Sequence, residues 1–477
     1  MPESKSSFSV KRSAALVLAA AFFGCLTFVG APSSAQTPPA SATAKAATDL
    51  YVYGYSLVTM EFTRRSFTNV ETASPTNAPM GQFANMQNYP AVDDHRVTAP
   101  NADTLYSTAW IDVTKEPYVF SIPDMNGRYF LMPMLDGFTN VFQVPGSRTT
   151  GTGAQKYLIT GPGWNGTVPQ GVTQYKSQTG LVWILGRIYC TGTPEDYAAV
   201  HALQAQLSLV PLSAYGRPYT PPAGTVDPSF NQSGSVRDQV EALTPEQYFS
   251  LLGDLLKTNP PEMPQDAAIV AEMKQLGLTP GESWNVGALS ADAQAAIAAA
   301  KPAAVAQIKA FATHGGLEMV NGWGILRKTG LYGDDYLDRA FVTAVGLGAN
   351  RPEDAIYPFT QASFDGAKTY VITFAKGQQP PVKGFWSITM YDPQYFFVPN
   401  ALNKQSISPR QNFATEPDGS VVLYFSNKQP AGVPASNWLP APPGKFLLMM
   451  RNYWPDPTPP SLLDGTWKPP VVQEKGS

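Results

Sequence analysis

Between residues 105 and 185 the apolar residues come in short runs, each closed by a polar cluster that carries Gly or Pro. The runs fall at 106–111, 118–122, 129–134, 141–144, 157–159 and 181–185. Runs of this length separated by turn residues predict strands, and their close spacing predicts an antiparallel sandwich or jelly roll. The pattern then changes. Apolar residues recur at helical spacing near 42–63, and helices are expected at 193–206, 244–257, 266–276, 290–300, 302–313 and 334–347. Thr193-Pro194 and the Thr244-to-Gln247 capping box mark two of the helix starts. From Pro358 short apolar runs return at 370–374, 385–390, 421–425 and 446–450. The expected fold is mainly β with α: two antiparallel sandwich-like or jelly-roll-like regions and a helical middle block. The expected divisions are a signal peptide over 1–35, a β-rich part over 36–235, helices over 236–348 and a second sandwich over 349–477.

The first residues read as a processing segment. Lys5, Lys11 and Arg12 precede an apolar stretch from Ala14 to Val29, and small residues Ser33-Ser34-Ala35 follow. This is the order of a secretory signal, with cleavage expected near Ala35 and the mature chain periplasmic or secreted. Cleavage removes three positive charges and Glu3, so a formal charge of −3 becomes about −5. It also removes Cys25 and leaves Cys190, which ends an apolar strand-like run and is expected to be a buried structural thiol. The mature part holds no basic block, which argues against a nucleic-acid partner, and no stable membrane insertion is expected after cleavage. Charged residues are only 14% of the chain while aromatics reach 12%, so aromatic cores and uncharged polar surfaces are expected, and with them a homo-oligomer.

Several chemistries lack their motifs. No Gly-x-Ser-x-Gly elbow, His-Glu-x-x-His helix or Gly-Lys-Ser/Thr phosphate loop occurs in the sequence. Gly161-Pro162-Gly163-Trp164-Asn165-Gly166 matches a dinucleotide fingerprint only formally, and a β-turn is expected there. The three histidines, His95, His201 and His314, are too dispersed for a multi-histidine metal site. Carboxylates, amides and arginines at strand ends remain. Asp103, Asp136, Asn101 and Asn140 offer oxygen donors of the kind Ca²⁺ and Mg²⁺ take, although Asp and Asn at turns more often cap their own backbone. Arg128, Arg148 and Arg187 each follow a Gly closely and present planar forks suited to carboxylate or phosphate, with an ion pair to an aspartate as the plainer role. Asp392, Asn400, Asn403, Lys404, Arg410 and Arg451-Asn452-Tyr453 make a parallel set in the C-terminal half.

Two stretches carry a resemblance. The run NADTLYSTAWIDV…GRYFLMPMLDGFTNVF…PGSRTTGTG…GPGW resembles the bacterial domain of unknown function 1254. FWSITMYD…DGSVVLYFSN…NWLPAPPGKFLLMMRNYWP…GTWKPPVV resembles its usual partner, the domain of unknown function 1214. The resemblance implies the same two-part β architecture and no particular activity. Lys404-Gln405 stands where that family usually has Arg-Tyr, which weakens this loop as a bidentate clamp.

Two functions from different classes follow. The first is a hydrolase of an anionic small molecule. Asp103 and Asp136 would hold a divalent cation or act as acid and base, and Tyr106 would move a proton. Arg128, Arg148 and Arg187, with Asn101 and Asn140, would bind substrate. On this reading Asp103→Ala abolishes turnover and leaves the fold intact. The second is a non-catalytic envelope protein that binds a ligand or self-assembles. Carbohydrate chemistry with paired carboxylates is a third idea.

Overall fold

The computed structural model describes residues 41–94, 99–313 and 316–476. The expected signal segment, Cys25, His95 and His314 lie outside them. Among the described residues, strands build four antiparallel-rich sheets that pair into two sandwiches, and helices gather in a third body.

In the N-terminal sandwich, one sheet runs in the order Phe83–Asn85, Thr104–Asp112, Leu181–Tyr189, Met134–Asp136, Val141–Gln143. The facing sheet runs Ser208–Pro211, Tyr118–Ile122, Gln155–Thr160, Thr173–Lys176. Strand alternation decides which side chains meet where. Leu105, Ala109, Ile111, Val182, Ile184 and Ile188 turn inward onto Phe120, Ile122 and Ile159. Tyr106, Trp110, Trp183 and Leu185 turn the other way, into a cluster shared with the rest of the molecule. Trp110 and Trp183 are direct cross-strand partners and stack with centroids 4.7 Å apart, the aromatic pairing that stabilises neighbouring strands.

The C-terminal sandwich repeats this logic. Its larger sheet is centred on Lys445–Pro455 and Val382–Tyr391, and its smaller sheet on Val421–Ser426 and Tyr370–Phe374. Trp386, Ile388, Met390, Phe446, Leu448 and Met450 point into the core. The alternate positions Phe385, Ser387, Thr389, Tyr391, Arg451 and Tyr453 therefore face outward, toward the N-terminal sandwich.

The helix Ala42–Thr68 is buried on every face from Leu50 to Glu61, as expected of a helix enclosed by others. It packs among Pro245–Leu256, Ala267–Gln275, Ala291–Ala310 and Tyr336–Gly346. Gly54 permits the closest approach: a Cβ there would lie 2.6 Å from a methyl of Leu252. Thr244 and Gln247 form the anticipated capping box, and Thr193 caps Pro194–Gln204. No helix among the described residues is long and apolar enough to cross a membrane.

The structure corrects three local expectations. The run at 129–134 is two strands, Phe130–Leu131 and Met134–Asp136, because Pro133 between them has no N–H to give the ladder. The pairs Gln155–Thr160 with Thr173–Lys176 and Val421–Ser426 with Trp438–Pro440 are parallel. The helices expected at 290–300 and 302–313 are one, Ala291–Ala310, continuous through Pro302. Packing of Ala296, Ile297, Ala300 and Ile308 in the helical core offsets the roughly 3 kcal/mol that an interior proline costs.

Candidate functional site at the junction of the sandwiches

Strand register puts Tyr106 directly opposite Arg187. The guanidinium lies 5.0 Å from the centre of the Tyr106 ring, and its Nε–H donates to the phenolic oxygen at 3.3 Å. Three of the other four Arg187 N–H groups donate to Leu185 O at 3.2 Å, Gly348 O at 3.0 Å and Asn350 Oδ1 at 3.0 Å. Asn350 in turn donates to the Tyr357 hydroxyl at 2.6 Å. Asn101 donates to the Tyr453 hydroxyl at 3.0 Å and closes the cluster from the other sandwich. Tyr106, Tyr129, Tyr357 and Phe385 are only partly buried here, so the cluster that includes Tyr106 is largely aromatic and not fully closed to solvent.

The electrostatics of this junction are unbalanced. Arg187 and Arg451 are 6% and 3% exposed, yet neither pairs with a carboxylate among the described residues. Arg451 donates instead to Thr389 Oγ1 at 2.7 Å and to the carbonyls of Ala99 and Pro100, and lies over the Tyr391 ring. A buried cation held only by dipoles favours an anion beside it. Tyr106 answers that field: burial pushes its phenol up, but Arg187, the Asn101 amide and Arg451 together bring it below the ordinary tyrosine value. Tyr357 and Tyr453, a few ångströms away in the same cluster, go up, because burial outweighs the arginines there. Tyr106 is thus the phenol of this cluster that most readily carries negative charge.

Asp103 has a different task. It is fully buried, accepts from the Ser387 hydroxyl at 2.6 Å and pairs with Arg410 at 2.9 Å. The residues before it are gripped in the same way. Tyr391 donates to Pro100 O, Arg410 to Ala102 O, and Ala99 N–H donates to Tyr395 O. The segment 99–103 is therefore a clamp by which the N-terminal sandwich is held on the outer face of the other. Asp136 lies elsewhere. Asp103 O accepts from Cys190 N, whereas Asp136 pairs with Val182, eight positions away along the same strand. At about 3.3 Å per residue this separates the two aspartates by roughly 26 Å, so they neither share an ion nor act as an acid–base pair. Asp136 Oδ1 accepts from the N–H groups of Phe138 and Asn140, and Oδ2 from the Asn140 amide at 3.1 Å. That is the turn-capping role.

Arg128 and Arg148 pair with aspartates, but with Asp196 at 2.6 Å and Asp354 at 2.7 Å rather than with Asp103 or Asp136. Arg148 stays near the junction, since it and Arg187 both act on the Tyr129 phenol. Arg128 does not, being taken up by Asp196 and Tyr189 O. Cys190 is a buried free thiol that burial pushes up to about 11. The ring of His201 bonds Gln87 O at 2.7 Å, a structural contact. No group of three or more His, Cys, Asp or Glu among the described residues is placed to hold a metal ion.

Residues 80–211 match the family model described as protein of unknown function (DUF1254), and residues 359–457 match protein of unknown function (DUF1214). The chain joins these two domains in that order. Tyr106, Arg187 and Asn101 come from the 1254 domain; Ser387, Arg410, Arg451 and Tyr453 come from the 1214 domain. Asn350 and Tyr357 belong to the stretch between the two matches. The chain resembles the VPA0106 protein from Vibrio parahaemolyticus, with a TM-score of 0.68 and 23% identity over 91% of this chain and all (100%) of that one. The likeness is one of fold. An uncharacterized protein from Burkholderia cenocepacia aligns at a TM-score of 0.44 and 14% identity over 91% and 94% of the two chains. No curated protein matches.

Asn350, Tyr357 and Ser387 were not identifiable as site residues from the sequence. The contacts that matter span 163 positions from Arg187 to Asn350 and 284 from Asp103 to Ser387. A local pattern carries no trace of either. The one usable signal was the period-two alternation around Tyr106 and Arg187, which places both on the outward face of their strands.

Proposed function

We propose that the junction of the 1254 and 1214 domains binds a compact anionic molecule on Arg187, and that the chain hydrolyses it with Tyr106 as the proton carrier. The observation that carries this reading is Arg187, a buried guanidinium without a carboxylate partner among the described residues, set against the phenol of the cluster whose acidity is raised. An anion beside Arg187 supplies the missing charge. Tyr106, its phenol lowered from the ordinary tyrosine value beside Arg187, then takes a proton from water and returns it to the leaving group. Tyr129, Tyr357 and Phe385 give an organic ligand aromatic surface to lie on. Arg148 stands close enough to add to the field. Asp103 holds the two sandwiches in register and is a positioning residue. The same reading keeps the mature protein in the periplasm or outside the cell, and leaves self-association open to measurement by sedimentation.

The test is turnover of anionic para-nitrophenyl esters (phosphate, sulfate and hemisuccinate) by the wild-type chain, with binding followed separately by calorimetry. Arg187→Gln is expected to weaken binding at least about tenfold, one charge-assisted contact being worth roughly 1.5–3 kcal/mol. Tyr106→Phe is expected to keep binding and lose most of the rate. Binding without product at any ester assigns the junction to a ligand-binding envelope protein instead. Binding that ignores Arg187→Gln removes the site altogether.

A further inference from the structure

Three phenols at the junction hold hydrogens that the surrounding protein does not accept. Tyr106 accepts from Arg187, Tyr357 from the Asn350 amide and Tyr453 from the Asn101 amide. Each phenolic oxygen also carries one hydrogen of its own to donate. Other buried tyrosines, Tyr53, Tyr248 and Tyr391, donate theirs to Asp266, to Tyr51 O and to Pro100 O. Tyr106, Tyr357 and Tyr453 donate to no carbonyl or carboxylate among the described residues. The acceptors left to them are one another's oxygens. Tyr453 and Tyr357 already meet: their rings cross edge to face with centroids 5.9 Å apart, and their hydroxyls hydrogen-bond. Asn101 links Tyr453 to Tyr106, and Asn350 links Tyr357 to Arg187, so the cluster is continuous.

The charges facing these phenols are of one sign. Arg187 and Arg451 act on all three. The carboxylates stand one layer back, Asp103 beside Tyr391 and Arg451, and Asp354 beside Tyr129 and Arg148. Phe385, stacked on Tyr453 at 4.5 Å, brings no polar group. One proton fewer corrects both imbalances. A phenolate accepts hydrogen bonds from the remaining hydroxyls and is a counter-charge for the arginines. Tyr106 is where that charge belongs, because its ring and its oxygen both lie against the Arg187 guanidinium.

We propose that Tyr357 and Tyr453 are positioning residues for Tyr106, and that the three make one acid whose first proton leaves from Tyr106 and whose charge the other two hydroxyls hold. The inference rests on the reading of Tyr106 as the proton carrier. In the ionisation the O–H bond of Tyr106 breaks, the electron pair stays on its oxygen and the proton passes to water. Tyr357 then donates to the phenolate, and Tyr453 donates to Tyr357. Tyr106 comes from the 1254 domain, Tyr453 from the 1214 domain and Tyr357 from the stretch between them, so the acid is complete only where the two sandwiches are joined.

Tyrosine labelled with ¹³C at Cζ reports the ionisation of each phenol in the full chain by NMR, without ligand or turnover. The resonance missing from Tyr106→Phe is expected to titrate below about 10, the ordinary tyrosine value. Tyr357→Phe is expected to raise that titration by at least about half a pH unit, the worth of one hydrogen bond. Tyr453→Phe is expected to raise it by less, since it stands one hydrogen bond further out. Each variant loses a hydroxyl and keeps its ring, and each is expected to melt close to the wild type. Phe385→Leu alters the packing on Tyr453 without removing a hydroxyl and is expected to leave the titration in place. A Tyr106 that titrates low but ignores both Tyr→Phe changes leaves the reading of Tyr106 standing and overturns this one. A shift as large with Phe385→Leu as with Tyr357→Phe, or a Tyr106 titration at or above the ordinary value, also overturns it. Loss of turnover with the shifts present would instead remove the hydrolase and leave the three-phenol acid.

Discussion

Asp136 carries opposed influences on one side chain. Its three accepted hydrogen bonds favour the charged form, yet burial wins and raises the carboxyl to about 6 from an ordinary 3.8. A carboxyl raised on folding makes the native state the better proton acceptor, so its contribution to stability is fully present below the unfolded value and is lost as pH rises through the folded one. A shift of about two pKa units is worth about 3 kcal/mol in all. Asp136→Asn keeps an acceptor for the two backbone N–H groups and removes the titration. We therefore expect the wild type to gain roughly 1 kcal/mol relative to Asp136→Asn between about pH 7.5 and about pH 5, read from urea midpoints of the two proteins at both pH values. A pH-independent difference would mean that Asp136 is already neutral, or never buried, in solution.

Among the elements, the segment 99–103 has the largest consequence. The sequence reading gave Asp103 a catalytic role and an intact fold on its removal. Its geometry assigns it to adhesion between sandwiches, through Ser387 and Arg410. Breaking a buried pair by deleting one partner leaves the other charge stranded, at a cost of about 3–5 kcal/mol. Asp103→Ala is expected to lower stability by about that amount, while Asp103→Ala combined with Arg410→Met recovers at least about half of it; a double-mutant cycle in urea measures both. The same segment shows what sequence can and cannot carry. Apolar runs closed by turn residues placed strands at 106–111 and 181–185, within the observed Thr104–Asp112 and Leu181–Tyr189, and Thr-Pro and the capping box located helix starts, because those signals are set by near neighbours. Asn101 and Asp103 also stood out as candidate oxygen donors. The segment's purpose did not, because its partners Ser387, Arg410 and Arg451 arrive from 280 or more positions away. The burial of Arg339 was missed for the same reason: on the helix Tyr336–Gly346 it looks like any surface cation, and only the approach of Tyr53 and Phe138 buries it.

In the whole molecule, the chain order and the bodies are interleaved. The helix Ala42–Thr68 precedes the first sandwich in sequence but forms the middle of the helical body. The strands Glu318–Val320 and Trp323–Ile325 precede the helix Tyr336–Gly346 but extend the C-terminal sheet, and Trp323 is fully buried in that sandwich's core. Each body therefore depends on residues that lie outside a simple division at 235 and 348. Cores that share elements unfold together when removal of one exposes the apolar face of the next. Calorimetry of the chain is expected to show a single transition whose van't Hoff and calorimetric enthalpies agree. A fragment spanning 349–477 lacks Trp323 and Ile325 and so loses part of the sandwich core; it is expected to be insoluble or to melt without cooperativity. If that fragment melts cooperatively at a temperature close to that of the whole chain, the sandwich is autonomous, the division at 348 stands as a true domain boundary, and the clamp at 99–103 joins two independent units instead of parts of one.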